Sequence, residues 1–323
     1  GAGGVLRDIH ATHGSLRLSE LMRFSDPAEG AASLALRKGA PEALGFYLDH
    51  HRIYVGDLTS VTDDVFTSWA TDRATGVDAL MLAPTRDLVT ELNQRARTHR
   101  LTTSDHVHHA ATVTLADGLT ASVGDTIITR ANDRRLPTSA TDFVKNGDRW
   151  TITGLPADGT VRATHTRTRR TVTLPAEYVR ASVELGYATT IHTAQGVTAD
   201  TSHTLLTGEE SRQLAYTAIT RGRGSNHLYL QVVGDGNEHN IVRPDHTHPP
   251  TATDILETIL ARDESAYSAT SIARDDTDPA LQLAPAVDRY LDSLAVAAER
   301  HYGPEQVTAL EQAADRILTG LTD

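Results

Sequence analysis

Gly186–Arg223 reads GYATTIHTAQGVTADTSHTLLTGEESRQLAYTAITRGR, and the fold follows from how this stretch divides. Tyr187 to Ile191 is a short β-branched run suited to a buried strand, and His192-Thr193-Ala194-Gln195-Gly196 breaks it with small and polar residues. Glu209 to Thr220 places Leu214, Ala215, Ala218 and Ile219 on one helical stripe and ends at Arg221-Gly222-Arg223-Gly224, ahead of a strand expected at His227 to Val233. Strand, loop, helix and strand in that order predict an α/β protein with a parallel sheet. Such sheets bind ligands outside the carboxyl ends of their strands. There the loop amides, the Gln195 carboxamide and the guanidiniums of Arg221 and Arg223 are expected to surround one nucleotide phosphate.

Working outward, the same alternation fills the first hundred residues. Asp26-Pro27 starts a helix with a capping carboxylate and a proline at the first helical position, and a second helix is expected over Pro41 to His50. A strand follows at Arg52 to Gly56, an amphipathic helix at Val61 to Ala74, a buried strand at Val77 to Pro84 and a helix at Leu88 to Arg97. Thr85 and Arg86 stand at that last strand-to-helix junction, where they either hold a DNA phosphate or simply cap the helix and face solvent.

From His106 to Val183 the pattern changes to short β-branched runs at Ala111–Leu115, Asp125–Arg130, Arg149–Leu155, Thr160–His165 and Arg170–Leu174, separated by Asp-Gly and Asn-Gly turns. They predict a small β-barrel inserted into the α/β domain, because the alternation stops before it and resumes after it. Its basic residues cluster at Arg130, Arg134, Arg135 and at Arg162, Arg167, Arg169, Arg170. They either line one side of a single-strand channel or form a solvated face. The expected organisation is thus residues 1–105 with 184–234 as a discontinuous parallel-sheet domain, 106–183 as the barrel, 235–252 as a linker and 253–323 as an acidic helical segment.

The 323 residues hold no cysteine and no apolar run long enough for a membrane span, which leads to the expectation of a cytoplasmic protein. The net charge of −12 argues against a DNA-handling protein until it is located. Residues 235–323 contain 17 acidic and 6 basic side chains, so the remainder is close to neutral. The acidic segment is either an exposed appendage or a face for a basic partner. The histidines at 106, 108 and 109 and at 246 and 248 lack the spacing of a zinc helix, and no metal site is expected. With Gly1-Ala2-Gly3-Gly4 in place of an initiating Met, the chain is expected to be a fragment of a longer protein.

Two segments carry a family resemblance. Thr190-Ile191-His192-Thr193-Ala194-Gln195-Gly196 resembles motif V, and Tyr216-Thr217-Ala218-Ile219-Thr220-Arg221-Gly222-Arg223 resembles motif VI, of superfamily 1 helicases of the RecD type. The surrounding sequence from Ala2 to Val233 is similar to the helicase portion of MobF-class (TrwC/TraI type) conjugative relaxases. The resemblance implies a RecA-like second motor domain with an SH3-like inserted barrel, using ATP with Mg²⁺ and translocating on single-stranded DNA. It makes Arg221 and Arg23 arginine fingers, Arg23 through a motif IV-like segment; read alone, Arg23 is equally a surface residue at a helix start. Gln195, Gly196 and Arg223 become nucleotide-binding, and Thr190, His192, Thr85, Arg86, Arg130, Arg134 and Arg135 DNA-binding. His192 taken singly reads as a core histidine.

No G-x-x-x-x-G-K-[ST] loop and no paired acids ending an apolar strand occur in the chain, so those parts are expected from an upstream motor domain of the same polypeptide. Alone, the fragment is expected to be inert. Two other readings stay open: a non-hydrolysing single-stranded DNA-binding module, and a module docking other conjugation proteins through its acidic segment.

Overall fold

The computed structural model describes residues 9, 13–14, 24–103, 111–232, 251–264, 279–303 and 306–307. Arg23, the His106–His109 run and nearly all of the 235–252 linker lie outside them. The chain divides into two compact units, 18–264 and 1–17 with 265–323.

The first unit is built on a parallel sheet of order β1-β14-β13-β2-β12, comprising β1 Ile53–Gly56, β2 Ala79–Ala83, β12 Ala188–Thr190, β13 Ala199–Leu206 and β14 Gly222–Gln231. Every ladder in it is parallel. All five residues of β2 are buried, because both faces are covered. Met81 packs with Val61, Val65 and Trp69 of α3 (Leu58–Ala74) and with Leu92 of α4 (Arg86–Thr103). Leu80 and Leu82 face Leu36 of α1 (Pro27–Arg37), Leu44 and Tyr47 of α2 (Leu44–Asp49) and Ala215 of α6 (Arg212–Ala218). Caps set two of these helices: Asp26 accepts from the Ala28 amide at 2.8 Å and Asp57 from the Ser60 amide at 3.0 Å.

The central strand β13 has no counterpart in the sequence reading. Its run Ala199-Asp-Thr-Ser-His-Thr looks like loop, yet from Ser202 onward it is buried. Its polar side chains at 201, 202 and 203 have found partners: Thr201 Oγ1 donates to Asp72 at 2.6 Å, Ser202 Oγ to Asn226 at 2.7 Å, and His203 lies 2.9 Å from Asp72 and 3.0 Å from the Tyr229 hydroxyl, while the buried Thr204 hydroxyl has none among the described residues. β14 also starts five residues before the expected strand, taking in Gly222 and Arg223.

Between α4 and β12 the chain forms an antiparallel module. Its main sheet has the order β10-β9-β8-β5-β11, with β5 Thr126–Thr129, β8 Arg149–Gly154, β9 Val161–His165, β10 Thr171–Leu174 and β11 Val183–Leu185. Two short ladders accompany it, β3 Thr112–Thr114 with β4 Thr120–Ser122, and β6 Asp133–Ser139 with β7 Asp142–Val144. A helix, α5 (Ala176–Ser182), leads into β11. Among the described residues β10 and β11 are not bonded to each other, so the sheet is seen open rather than closed as a barrel.

The module shares a core with the parallel sheet, since Ile127, Trp150 and Leu185 join the cluster containing Met81 and Leu92. Three ion pairs, each with one buried member, add to it. Asp125, fully buried, accepts from Arg100 Nε at 2.7 Å, Arg97 Nε at 3.2 Å and the Tyr187 hydroxyl at 2.7 Å, while Arg149 Nη2 reaches Asp78 at 2.5 Å.

The helix α7 (Ala252–Ala261), grouped from sequence with the acidic segment, belongs to this unit. A capping box between Thr251 and Asp254 starts it, and Leu256, Ile259 and Leu260 are buried in the core that holds Ala215. Arg262 then donates to the carbonyls of Gly208 and Glu210, each at 3.0 Å. In the second unit, α8 (Pro279–Tyr302) exposes Leu283, Val287, Tyr290, Leu291 and Leu294. No helix among the described residues is long and apolar enough to cross a membrane.

Candidate nucleic-acid and nucleotide site

β2 and β12 are neighbours with their carboxyl ends side by side, Ala83 opposite Thr190. Beyond them lies a cleft of about 520 Å³ between the parallel sheet and the module. Arg86, predicted from one stretch, and Thr190, His192 and Gln195, predicted from another, meet there with Arg130 from the end of β5. Thr190 follows from the strand, and His192 sits in a 3₁₀ turn (His192–Ala194) that leaves its ring exposed. A hydroxyl chain organises the turn: Thr193 Oγ1 lies 2.7 Å from Thr190 Oγ1 and 2.8 Å from Thr189 Oγ1.

The cations differ in availability. Among the described residues Arg86 has no hydrogen-bond or ion-pair partner, so its guanidinium is open to a ligand. Arg130 is engaged, donating to Glu184 at 2.6 Å and to Thr189 at 2.8 Å. Thr85 caps α4, accepting from the Leu88 amide at 3.3 Å. Of the other predicted contacts, Arg134 stands over the Phe143 ring, 5.2 Å from its centroid, and Arg135 pairs with Asp133 at 2.9 Å outside the cleft.

Sequence reasoning missed Asp117 and Glu184, two carboxylates in the cleft wall. Burial, with Glu184 nearby, raises the Asp117 pKa. Asn93 was missed as well. Its buried carboxamide accepts from the Tyr187 and Ala188 amides at 3.1 and 2.8 Å and donates to the Ala188 carbonyl at 3.1 Å, fixing the start of β12.

Of the residues assigned to nucleotide, Gln195 lines the cleft, and Gly196, Arg221 and Arg223 lie outside it. Ala199 pairs with Gly222, so Arg221, just before β14, stands at the amino edge of the strands and not at the carboxyl edge where it was expected. It is 7% exposed and points inward, donating to the carbonyls of Thr217 at 2.9 Å and Ala194 at 3.1 Å and to Thr220 Oγ1 at 2.7 Å. Arg223 pairs with Asp200 at 2.5 Å. Gly196 has φ +92° and nothing within 4 Å of a Cβ placed on it, so its glycine answers a backbone conformation; no close approach is seen.

Residues 1–58 match a family described as an AAA domain. An uncharacterized protein of Mycobacterium tuberculosis is 32% identical over 100 residues, 30% of this chain and 58% of its own. The conjugal transfer protein TraA of Agrobacterium fabrum is 30% identical over 232 residues, covering 71% of this chain. Over that span the chain is similar to a conjugal transfer protein. It spans only 20% of TraA's length, however, and 58% of the mycobacterial relative's. Similar solved structures include a Bacteroides Pif1 helicase in complex with ADP-AlF3 and ssDNA (14% identity, 67% of this chain and 51% of that one, TM-score 0.41). Another is Pif1 helicase from Candida albicans (16% identity, 67% and 56%, TM-score 0.40).

Proposed function

We propose that this chain is the second motor half of an ATP-dependent single-stranded DNA translocase or helicase, of the RecD-type superfamily 1 kind found in MobF-class conjugative relaxases. Its parallel-sheet domain is then RecA-like and its antiparallel module the counterpart of the inserted SH3-like barrel. The observation that carries the reading is the cleft, where an unpaired Arg86, the exposed His192 and the Gln195 carboxamide converge at the carboxyl ends of β2 and β12. The similarity to TraA and the AAA-domain match support it.

In this reading single-stranded DNA runs through the cleft, with Arg86 on a phosphate and the Thr190 turn against the backbone. ATP with Mg²⁺ is bound chiefly by an upstream motor domain of the same polypeptide. This chain brings Gln195 and Gly196 to it, Arg223 after release from Asp200, and Arg221 and Arg23 as arginine fingers. Arg221 is held by the Ala194 carbonyl, so serving as a finger requires breaking the bond that fixes the loop carrying Gln195. The acidic C-terminal segment is available to other conjugation proteins, and the motor works in the cytoplasm.

The test is oligonucleotide binding across a salt series. Arg86→Ala is expected to weaken a short single strand about fivefold to tenfold irrespective of sequence and to lower the salt slope by about one. An unchanged affinity and slope would remove the cleft from DNA binding. In the parent motor, ATP turnover surviving Arg221→Ala would remove the finger.

A further inference from the structure

A second groove, of about 460 Å³, lies on the module at the β10 end of its main sheet. Its origin is the alternation of β9 and β10. Val161 and Ala163 point into the core while Arg162 points out, and the register sets Arg162 opposite Thr173, which is likewise exposed. Thr153 of β8 continues that outward face, its hydroxyl donating to the Arg162 carbonyl at 3.2 Å. The β6/β7 hairpin packs along β10 and closes the groove with Arg135 and Pro137.

The chemistry of this groove differs from that of the cleft. Two arginines from separate strands meet there beside the hydroxyls of Thr153, Thr171 and Thr173, and no carboxylate lines it. Among the described residues the Arg162 guanidinium has no hydrogen bond or ion pair, only a through-space interaction with Asp158. Arg135 is 85% exposed at its side chain, so its pairing with Asp133 leaves the cation in solvent. Cations and hydroxyl donors in the lining, with the Asp133 and Asp158 carboxylates beside them but outside it, select an anion with several acceptor oxygens. Without an aromatic ring in the lining, the groove has no platform for stacking a base. The ligand that fits is a phosphodiester backbone, read without regard to sequence.

We propose that the groove is a second nucleic-acid contact, holding phosphodiester that extends past the cleft. This rests on the reading of the cleft as the primary strand site. The two contacts together predict that affinity rises in two steps with ligand length, the second step belonging to Arg135 and Arg162.

The experiment measures fluorescence anisotropy on the full chain with a single strand of about six nucleotides, one of about twenty, and a duplex of about twenty base pairs, across a salt series. The double variant R135A/R162A changes two exposed side chains, and R135E/R162E repeats the test with reversed charge; thermal melting checks both folds. Expected for the alanine pair is a short-strand affinity within about twofold of the unchanged protein. The longer ligand should weaken about tenfold, with a salt slope smaller by about two. Loss on the long single strand identifies the source of the phosphodiester as that strand, and loss on the duplex alone identifies a duplex arm. Both support the groove. Equal affinities for all three ligands in variant and unchanged protein overturn the groove while leaving the cleft intact. An equal loss on the short and long strands overturns it as a separate contact, and an unchanged protein that binds none of the ligands overturns both readings.

Discussion

Arg221 illustrates what a single residue does and does not disclose. Its type and its place in a Thr-Arg-Gly-Arg run point to anion chemistry, but the direction of its side chain depends on the acceptors that the fold brings near. The Ala194 and Thr217 carbonyls take it inward. His227 is a second buried group with consequences. Burial, together with His203 and Arg52 nearby, pushes its pKa down to about 4 from an ordinary 6.5. The folded state therefore keeps this imidazole neutral where the unfolded chain binds a proton. Its contribution is fully present above about pH 6.5 and is lost as pH falls towards 4, a total on the order of 3 kcal/mol. His227→Asn should flatten the urea midpoint between pH 6.5 and 4. A variant with the same acid slope as the unchanged protein would show that the loss comes from other groups.

At the scale of elements, strands with apolar alternation and helices with capping acids were readable in advance. β2 is apolar throughout, and Asp26 marks a helix start that the structure uses, whereas the helix expected from Val61 starts at Leu58, capped by Asp57. The predicted cleft residues Arg86, Thr190, His192 and Gln195 were legible for a similar reason, since they occupy strand ends. What escaped were β13 and the carboxylates Asp117 and Glu184. A strand whose Ser202 and His203 side chains are satisfied by residues 24 to 131 positions away leaves no local pattern.

Gly222 adds a requirement that periodicity does not reveal. A Cβ there would overlap the Ser225 carbonyl oxygen and lie 3.0 Å from the Ser202 amide, both backbone. Gly222→Ala is expected to cost about 3 kcal/mol, the upper end of overpacking. Gly196→Ala, strained only by its φ, should cost about 1–2 kcal/mol. Equal melting temperatures for the two variants would contradict this account of β14.

For the 18–264 unit as a whole, the question is whether the module moves as a body of its own. Its core is continuous with that of the parallel sheet, and Asp125 and Arg149 place buried charges across the junction. Removing one member leaves buried partners uncompensated. Asp125→Ala should therefore lower stability by about 3–5 kcal/mol and melt sheet and module in one transition. Two separate transitions in calorimetry of the unchanged protein would show independent units instead.

The strand order carries one more consequence, for the time at which the sheet forms. β1 and β2 share no ladder; β1 pairs with β14, and β2 lies between β13 and β12. A growing chain thus carries β1 and β2 unpaired until residues beyond the module have been synthesised. The ladders of β1 with β14, of β2 with β12 and of β2 with β13 close over long stretches of chain, while β8, β9 and β10 pair through short turns. The module is then the part able to fold early, and by drawing residues 103 and 188 towards each other it shortens the search that β2 and β12 must complete.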